Sequence, residues 1–322
     1  MINIKEEGDF CHLLHASFKI FLKKRIRMKK YKKILTTLDM SELDDLLVDY
    51  TLKMAKYLEA KTIYGAHIIP VILIPNLIKL DPSNSFLPTA PAVEKIREKV
   101  FNEIKTKSGE TDLSIHIKIE EGRPFAKLMK MVNDVKPDLL IFGKKEKSEG
   151  SGITSKRVAH NADADLLLVP QSADLNIQKI MIPIDFSENS YRAIELVQQL
   201  KEVMKLKGRI DLVHVLDASV VERYSSYQLY EELSTLLPKV ADQQYQKFIN
   251  QYGLDESDFN LVCQMTEGEN IANALLSFAE EEDYQLIVMG AKGHSYLNNF
   301  VFGSVAETLI DLTHKLPIMI IR

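Results

Sequence analysis

A motif that occurs twice, at a nearly constant separation, constrains the fold of this chain more than any other feature. KILTTLD, from Lys33 to Asp39, returns as KIMIPID, from Lys179 to Asp185, so the two aspartates stand 146 positions apart (39 to 185). Glu121-Gly122 in IEEGRP aligns with Glu267-Gly268 in MTEGEN at the same offset (122 to 268). His67 in YGAHII and His214 in DLVHVL differ by 147, as do Gly143, closing DLLIFG, and Gly290, closing QLIVMG. A period this long means one folded unit used twice. At about 150 residues per domain, a chain of 322 residues accommodates both copies. The expected organisation is an N-terminal extension over 1–29 and two domains, 30–172 and 173–322. They meet at QSADLNIQ, Gln171 to Gln178, a polar stretch with no strand or helix signal.

Each copy alternates β-branched runs with segments of helical apolar spacing. In the second, IMIPI, IDLVHV, FNLVCQM, QLIVMG and Pro317 to Ile321 read as strands; Ser190 to Val203, Ile271 to Ala279 and Ser304 to Thr313 read as helices. Strands separated by helices require right-handed crossovers and a parallel sheet covered on both faces. The expected fold class is therefore α/β: two tandem doubly wound domains, each a mostly parallel five-stranded sheet flanked by helices. In such sheets ligands bind beyond the carboxyl ends of the strands. Those ends carry Asp185, Val215 and Gly290.

Composition narrows the function classes. Forty-one Lys plus Arg nearly balance 45 Asp plus Glu, and no global field draws the chain onto nucleic acid. Cys11 and Cys263 have no metal-site or redox spacing, which fits a reducing cytoplasm. Cys263 lies in an apolar strand and is expected to be inert. No apolar run reaches the 18 residues of a membrane helix; Ala66 to Ile78 is broken by His67, Pro70, Pro75 and Asn76. Within 1–29, Phe10, Leu13, Leu14, Phe18, Phe21 and Leu22 recur at helical spacing beside Lys23, Lys24, Arg25 and Arg27. That pattern fits either a basic amphipathic helix meeting a membrane surface or partner, or a loosely attached extension ahead of a working protein that begins near Met28.

The sharpest local signal is GAKGHSYLNNFVFGS, Gly290 to Ser304. Gly290 and Gly293 offer the positive φ and close backbone approach of a phosphate-cradling loop. Gly303 and Ser304 place free N–H groups and a hydroxyl at a helix N-terminus, an anion site. Alone, two glycines and a capping Ser are also ordinary turn chemistry. Their position after one strand end and opposite another, with Asp185 able to take a ribose or base edge, favours a nucleotide.

These residues resemble the universal stress protein family in its tandem two-domain form, from about Met28 to Arg322. Nucleotide-binding members carry Gly, two residues, Gly, nine residues, Gly, then Ser or Thr. Gly290, Gly293, Gly303 and Ser304 satisfy this, His294 to Phe302 being the nine. The resemblance implies an adenine nucleotide alpha hydrolase-like fold and ATP, with magnesium bridging its phosphates. By that resemblance Pro183 and Asp185 would serve the ribose side and Val215 would meet adenine through its backbone. Met289 and Gly290 would flank the nucleoside; Gly293, His294, Gly303, Ser304 and Val305 would surround the phosphates. It also implies that the last strand of each copy pairs with its counterpart, inside the chain as a pseudo-dimer or between chains as a homodimer.

The first copy departs from this signature. Glu146 stands at the second glycine, where a carboxylate repels phosphate, Ser151-Gly152 reverses Gly303-Ser304, and Thr37 replaces Pro183. The loop is also five residues shorter, because Asp165 matches Pro317 at an offset of 152. The first domain is expected to have lost ATP binding. Lys144, Lys145, Lys147, Lys156 and Arg157 then read as a solvated basic loop, with binding of another anion as the alternative. His67 and His214 read as structural imidazoles. Tyr224, Tyr227 and Tyr230 read as helix packing, or else a partner surface. No P-loop and no nucleophile elbow occurs. The expected function is a cytoplasmic, ATP-binding sensor or regulatory module with an unknown protein partner, not an enzyme. The alternatives are a nucleotide-free scaffold and a weak ATP hydrolase or autokinase.

Overall fold

Leu139-Leu140-Ile141-Phe142 and Leu166-Leu167-Leu168-Val169 are apolar at every position, as strands buried on both faces must be. The computed structural model describes residues 30–70, 90–145, 151–217, 227–266, 269–293 and 302–322. In the first half, β1 (Lys33–Leu38), α1 (Leu43–Tyr57), β2 (Thr62–Ile69), α2 (Ala90–Ser108) and β3 (Ser114–Glu121) are followed by α3 (Pro124–Val135), β4 (Leu139–Lys144), α4 (Ser151–Asn161) and β5 (Asp165–Pro170). The second half repeats this with β6 (Ile180–Pro183), α5 (Glu188–Met204), β7 (Ile210–Asp217), α6 (Tyr227–Tyr252) and β8 (Phe259–Thr266). It continues with α7 (Ile271–Glu281), β9 (Leu286–Gly290), α8 (Ser304–Leu312) and β10 (Ile318–Ile321).

The two expected five-stranded sheets join into one ten-stranded sheet. The strand order is β3-β2-β1-β4-β5-β10-β9-β6-β7-β8, and β10 pairs antiparallel with β5, with Met319 opposite Leu167. The other pairings are parallel. Alternate residues of each strand feed two cores. Leu139, Ile141, Val288 and Met319 face α1, α2, α5 and α6; Leu140, Phe142, Ile287 and Ile320 face α3, α4, α7 and α8. Each core therefore runs through both halves. Burying each such side chain contributes about 1.5–3 kcal/mol.

The duplication extends to backbone conformation. Met40 and Phe186 adopt left-handed φ of 65° and 62°, Glu59 and Lys205 54° and 55°, and Lys136 and Asp283 49° and 56°. Each pair is separated by the repeat offset of 146 or 147. A non-glycine residue rarely adopts this region, so its recurrence marks turns that both halves need. The join is not a free linker. Ala173 and Ile177 are buried, and α1 reaches over it through Tyr50 Oη, which donates to the Asp174 carbonyl, and Lys53 Nζ, which donates to that of Leu175.

Among the described residues no helix is long and apolar enough to cross a membrane. Residues 1–29 and Tyr224 lie outside the described residues, and for Tyr227 and Tyr230 only the helical backbone of α6 is described.

Candidate functional site

A cavity of about 420 Å³ opens beyond the carboxyl ends of β6, β7 and β9. That is the point where β6 pairs with β7 on one side and β9 on the other, the switch point of the second half. Nine of the ten residues expected at the site line it: Pro183, Asp185, Val215, Met289, Gly290, Gly293, Gly303, Ser304 and Val305. His294 lies outside the described residues. The volume falls in the range of small-molecule sites, about 300–1,000 Å³.

Asp185 follows β6 in a tight corner. Its Oδ1 accepts the Ser187 N–H at 3.1 Å and the Ser190 hydroxyl at 2.7 Å, and its own N–H donates to Ser190 Oγ at 3.1 Å. Ser187 caps α5, accepting the Ser190 N–H. These bonds turn Oδ2 toward Gly293. A Cβ there would lie 2.3 Å from Oδ2.

The glycines act differently from expectation. Neither Gly290 nor Gly293 has a positive φ. Gly290 is needed because a Cβ would lie 2.5 Å from Asn189 Cβ and 2.8 Å from the Asn189 backbone at the start of α5. Close approach is thus the operative property, and it is approach to the protein's own helix and carboxylate. Ser304 is not the cap of α8 either; Gly303 is, and Ser304 is the first helical residue. The Gly303 N–H donates to the Ala291 carbonyl at 2.8 Å and joins the two ends of the loop. The first N–H groups of α8 have no intrahelical acceptor and carry the positive pole of the helix. They line the same cavity as Asp185, an arrangement able to hold an anion and a hydroxyl-bearing ring together.

His214 Nδ1 lies 2.9 Å from the Ile184 carbonyl, as His67 Nδ1 does from that of Leu38. A carbonyl only accepts, so both rings carry hydrogen on Nδ1. Both histidines brace the strand end that holds the aspartate. The ring of Phe186 packs on His214 at 4.7 Å.

Sequence reasoning missed Ser190, which orients Asp185, and the apolar floor of Ile184, Val213, Ile271 and Leu275. Comparison of the halves could have found Ser190, since Asp44 stands at its repeat position. Lys292 also lines the cavity.

At the first half's counterpart, Lys145 Nζ pairs with Asp39 Oδ2 at 2.6 Å. Burial alone would raise the Asp39 carboxyl, yet hydrogen bonds from Lys145 and Ser41 hold it below the usual carboxylate range. Asp44 accepts the N–H groups of Asp39 and Met40 and is pushed upward, chiefly by burial, with the Asp39 charge adding. The expected solvated basic loop is not found. Lys144 donates to the Ile310 and Asp311 carbonyls, Lys156 pairs with Asp311 at 2.7 Å, and Arg157 stacks on Phe125 at 4.0 Å. The pairing of β5 with β10 brings acceptors on α8 within reach of these cations. Glu146 and Lys147 lie outside the described residues, as do Glu267 and Gly268.

Cys263 is half-buried in β8, and burial pushes its thiol up, which keeps it protonated and unreactive.

The sequence model described as "Universal stress protein family" matches residues 30–170 and again 176–322. Two universal stress proteins of Methanocaldococcus jannaschii are similar in sequence. One is 28% identical over 145 residues, covering 45% of this chain and 82% of the relative; the other is 22% identical over 158 residues, covering 45% and 94%. Among solved structures, a universal stress protein from Archaeoglobus fulgidus superposes with a TM-score of 0.61 at 17% identity, covering 91% of this chain and 99% of its own. That likeness is one of fold.

Proposed function

The chain belongs to the universal stress protein family, and we propose that it binds one adenine nucleotide, ATP, in its second half and works as a cytoplasmic regulatory module whose ligand state is read by a protein partner. The observation that carries this reading is the convergence of Asp185, Gly293 and the N-terminus of α8 on one cavity. The absence of a side chain at Gly293 lets its backbone approach the Asp185 carboxylate, where a Cβ would lie 2.3 Å from Oδ2.

Each group has a distinct task. Asp185, held by Ser187 and Ser190, accepts from ribose hydroxyls. The apolar floor and the backbone of Val215 take the base. The α8 N-terminus, with Ser304, takes the phosphates. The donor set fits a nucleotide. Magnesium would draw most of its ligands from phosphate oxygens and water, since among the described residues no three His, Cys, Asp or Glu are grouped to hold a metal. We read the site as one that binds the nucleotide without transforming it, the ligand state altering the surface around Gly293, Gly303 and the α8 N-terminus. A ligand at 100 times its Kd stabilises the bound state by about 2.7 kcal/mol, enough to shift a surface equilibrium.

In the first half the Asp39–Lys145 ion pair satisfies the carboxylate internally. We read that half as no longer binding ATP.

Isothermal titration with ATP and magnesium tests this on the whole chain, beside Gly293→Glu and Glu146→Gly. One saturable site, lost in Gly293→Glu, is expected. Two sites in the unaltered chain would overturn the reading of the first half. No heat, together with no nucleotide in the purified protein, would overturn ATP binding itself.

A further inference from the structure

Helix α8 is held at both ends by residues outside the cavity. At its C-terminal end the last carbonyls have no intrahelical donor. Lys144 Nζ from β4 supplies one, donating to Ile310 at 2.8 Å and Asp311 at 2.5 Å. Lys156 from α4 adds pairs to Asp311 at 2.7 Å and Glu307 at 3.3 Å. A cation at a helix C-terminus opposes its negative pole.

At the N-terminal approach, Phe302 is buried between two groups. His160 of α4 meets it edge-on at 4.9 Å, and the Arg322 guanidinium lies over its face at 4.6 Å. Arg322 is itself fixed to the first half, its N–H donating to Asp165 Oδ1 at 2.9 Å and its guanidinium to the Ala159 carbonyl. Phe302 directly precedes Gly303, the cap of the helix whose first turn lines the cavity. With nine residues, α8 is only about 13 Å long. A tilt permitted at either end therefore moves the N–H groups that face the cavity.

We propose that the first half is the positioning element of the second half's site: Lys144 and His160, which do not line the cavity, set the placement of the α8 N-terminus and so the affinity for an anionic ligand there. This rests on the reading that the cavity binds ATP. It gives the first half a role that requires no ligand of its own, and it makes coupling reciprocal. Whatever tightens the cavity must equally tighten the contact between α4 and α8.

The test is titration of the full chain with ATP and magnesium for the unaltered protein, Lys144→Met, Lys144→Arg and His160→Ala, with Lys130→Met, which removes a lysine of α3 paired with Glu120, as control. Hydrogen exchange is followed in α7 and α8 without ligand. Lys144→Met and His160→Ala are each expected to weaken binding about five-fold or more, the lower end of measured couplings. Lys144→Arg should restore most of it, Lys130→Met should change nothing, and exchange should quicken in α8 and not in α7. Unchanged affinity in both variants, with the unaltered protein binding normally, would overturn this inference alone. No binding by the unaltered protein would overturn it together with the reading it rests on. If Lys144→Met does not fold, His160→Ala decides by the same criteria.

Discussion

Asp185 and Gly293 face each other so closely that a single methyl group on the glycine would stand 2.3 Å from the carboxylate oxygen. The neighbour is the end of a side chain, which can rotate, but rotation breaks the bonds from the Ser187 N–H and the Ser190 hydroxyl. Gly293→Ala should therefore lower the urea midpoint modestly, by about 1 kcal/mol for the lost hydrogen bonds, while weakening nucleotide binding about ten-fold, a difference of about 1.4 kcal/mol. Equal affinity by titration would show that Asp185 does not touch the ligand.

In Gly290→Ala the cost to stability should dominate. Its Cβ would press on the Asn189 backbone, which has no rotamer to escape into. Overpacking of this kind costs about 1–3 kcal/mol, read as a lowered denaturation midpoint. At the equivalent Gly143 a Cβ meets the Leu43 and Leu47 side chains at 2.5 Å and 3.0 Å. Those ends can shift, and Gly143→Ala should cost less than Gly290→Ala.

Tyr31→Phe should destabilise the protein by about 1–3 kcal/mol. Tyr31 Oη donates to Asp165 Oδ2 at 2.5 Å, and Asp165 is fully buried where β5 meets β10. Removing the donor leaves a buried carboxylate with a lost hydrogen bond, whose cost is the desolvation penalty of the acceptor. Urea unfolding at neutral pH measures it.

The His160 ring is held below its ordinary pKa, first by burial and then by the charges of Lys156 and Arg322, against which Glu307 and Asp311 act in the opposite direction. The folded state therefore disfavours the proton that the unfolded chain accepts near pH ~6.5. Stability from this residue is complete above that pH and declines as pH falls through it toward the lower folded value. Between pH 7.5 and 5.5 the unaltered protein should lose more stability than His160→Phe, which keeps a ring against Phe302. Parallel losses would assign the pH dependence elsewhere.

The strands and helices were legible because their signals are local, and the duplication because its landmarks survive in both copies. KILTTL and IMIP became β1 and β6, and Ser304 to Thr313 became α8 to within one residue. The glycine spacing from Gly290 to Ser304 brought the right residues to one cavity, but for a physical reason it could not display. The atoms that exclude a Cβ at Gly290 belong to Asn189, about a hundred positions away. The partners of Lys144 and Lys156 were hidden for the same cause. They depend on which strand of one half lies beside which strand of the other, and a basic loop with acceptors out of sight reads as a solvated one. The β5–β10 pairing itself came from family resemblance and from no residue pattern.

That pairing also carries a consequence about symmetry. Its register sets Ile318 against Leu168, Met319 against Leu167 and Ile320 against Leu166. With the local repeat offset of 152, this is the pattern of a two-fold axis passing through Leu167 and Met319, where each residue meets its own counterpart. Two separate copies of one chain would have to accept every change twice across such an axis. Within a single chain that obligation is lifted. The mirror image of Lys156–Asp311 is Thr308–Ala159, and that of Lys144 is Ala291, which lines the cavity instead of gripping a helix. Covalent fusion thus lets the two copies carry different residues at equivalent places, Lys144 gripping α8 where Ala291 lines the cavity, a division of labour closed to any assembly of identical subunits.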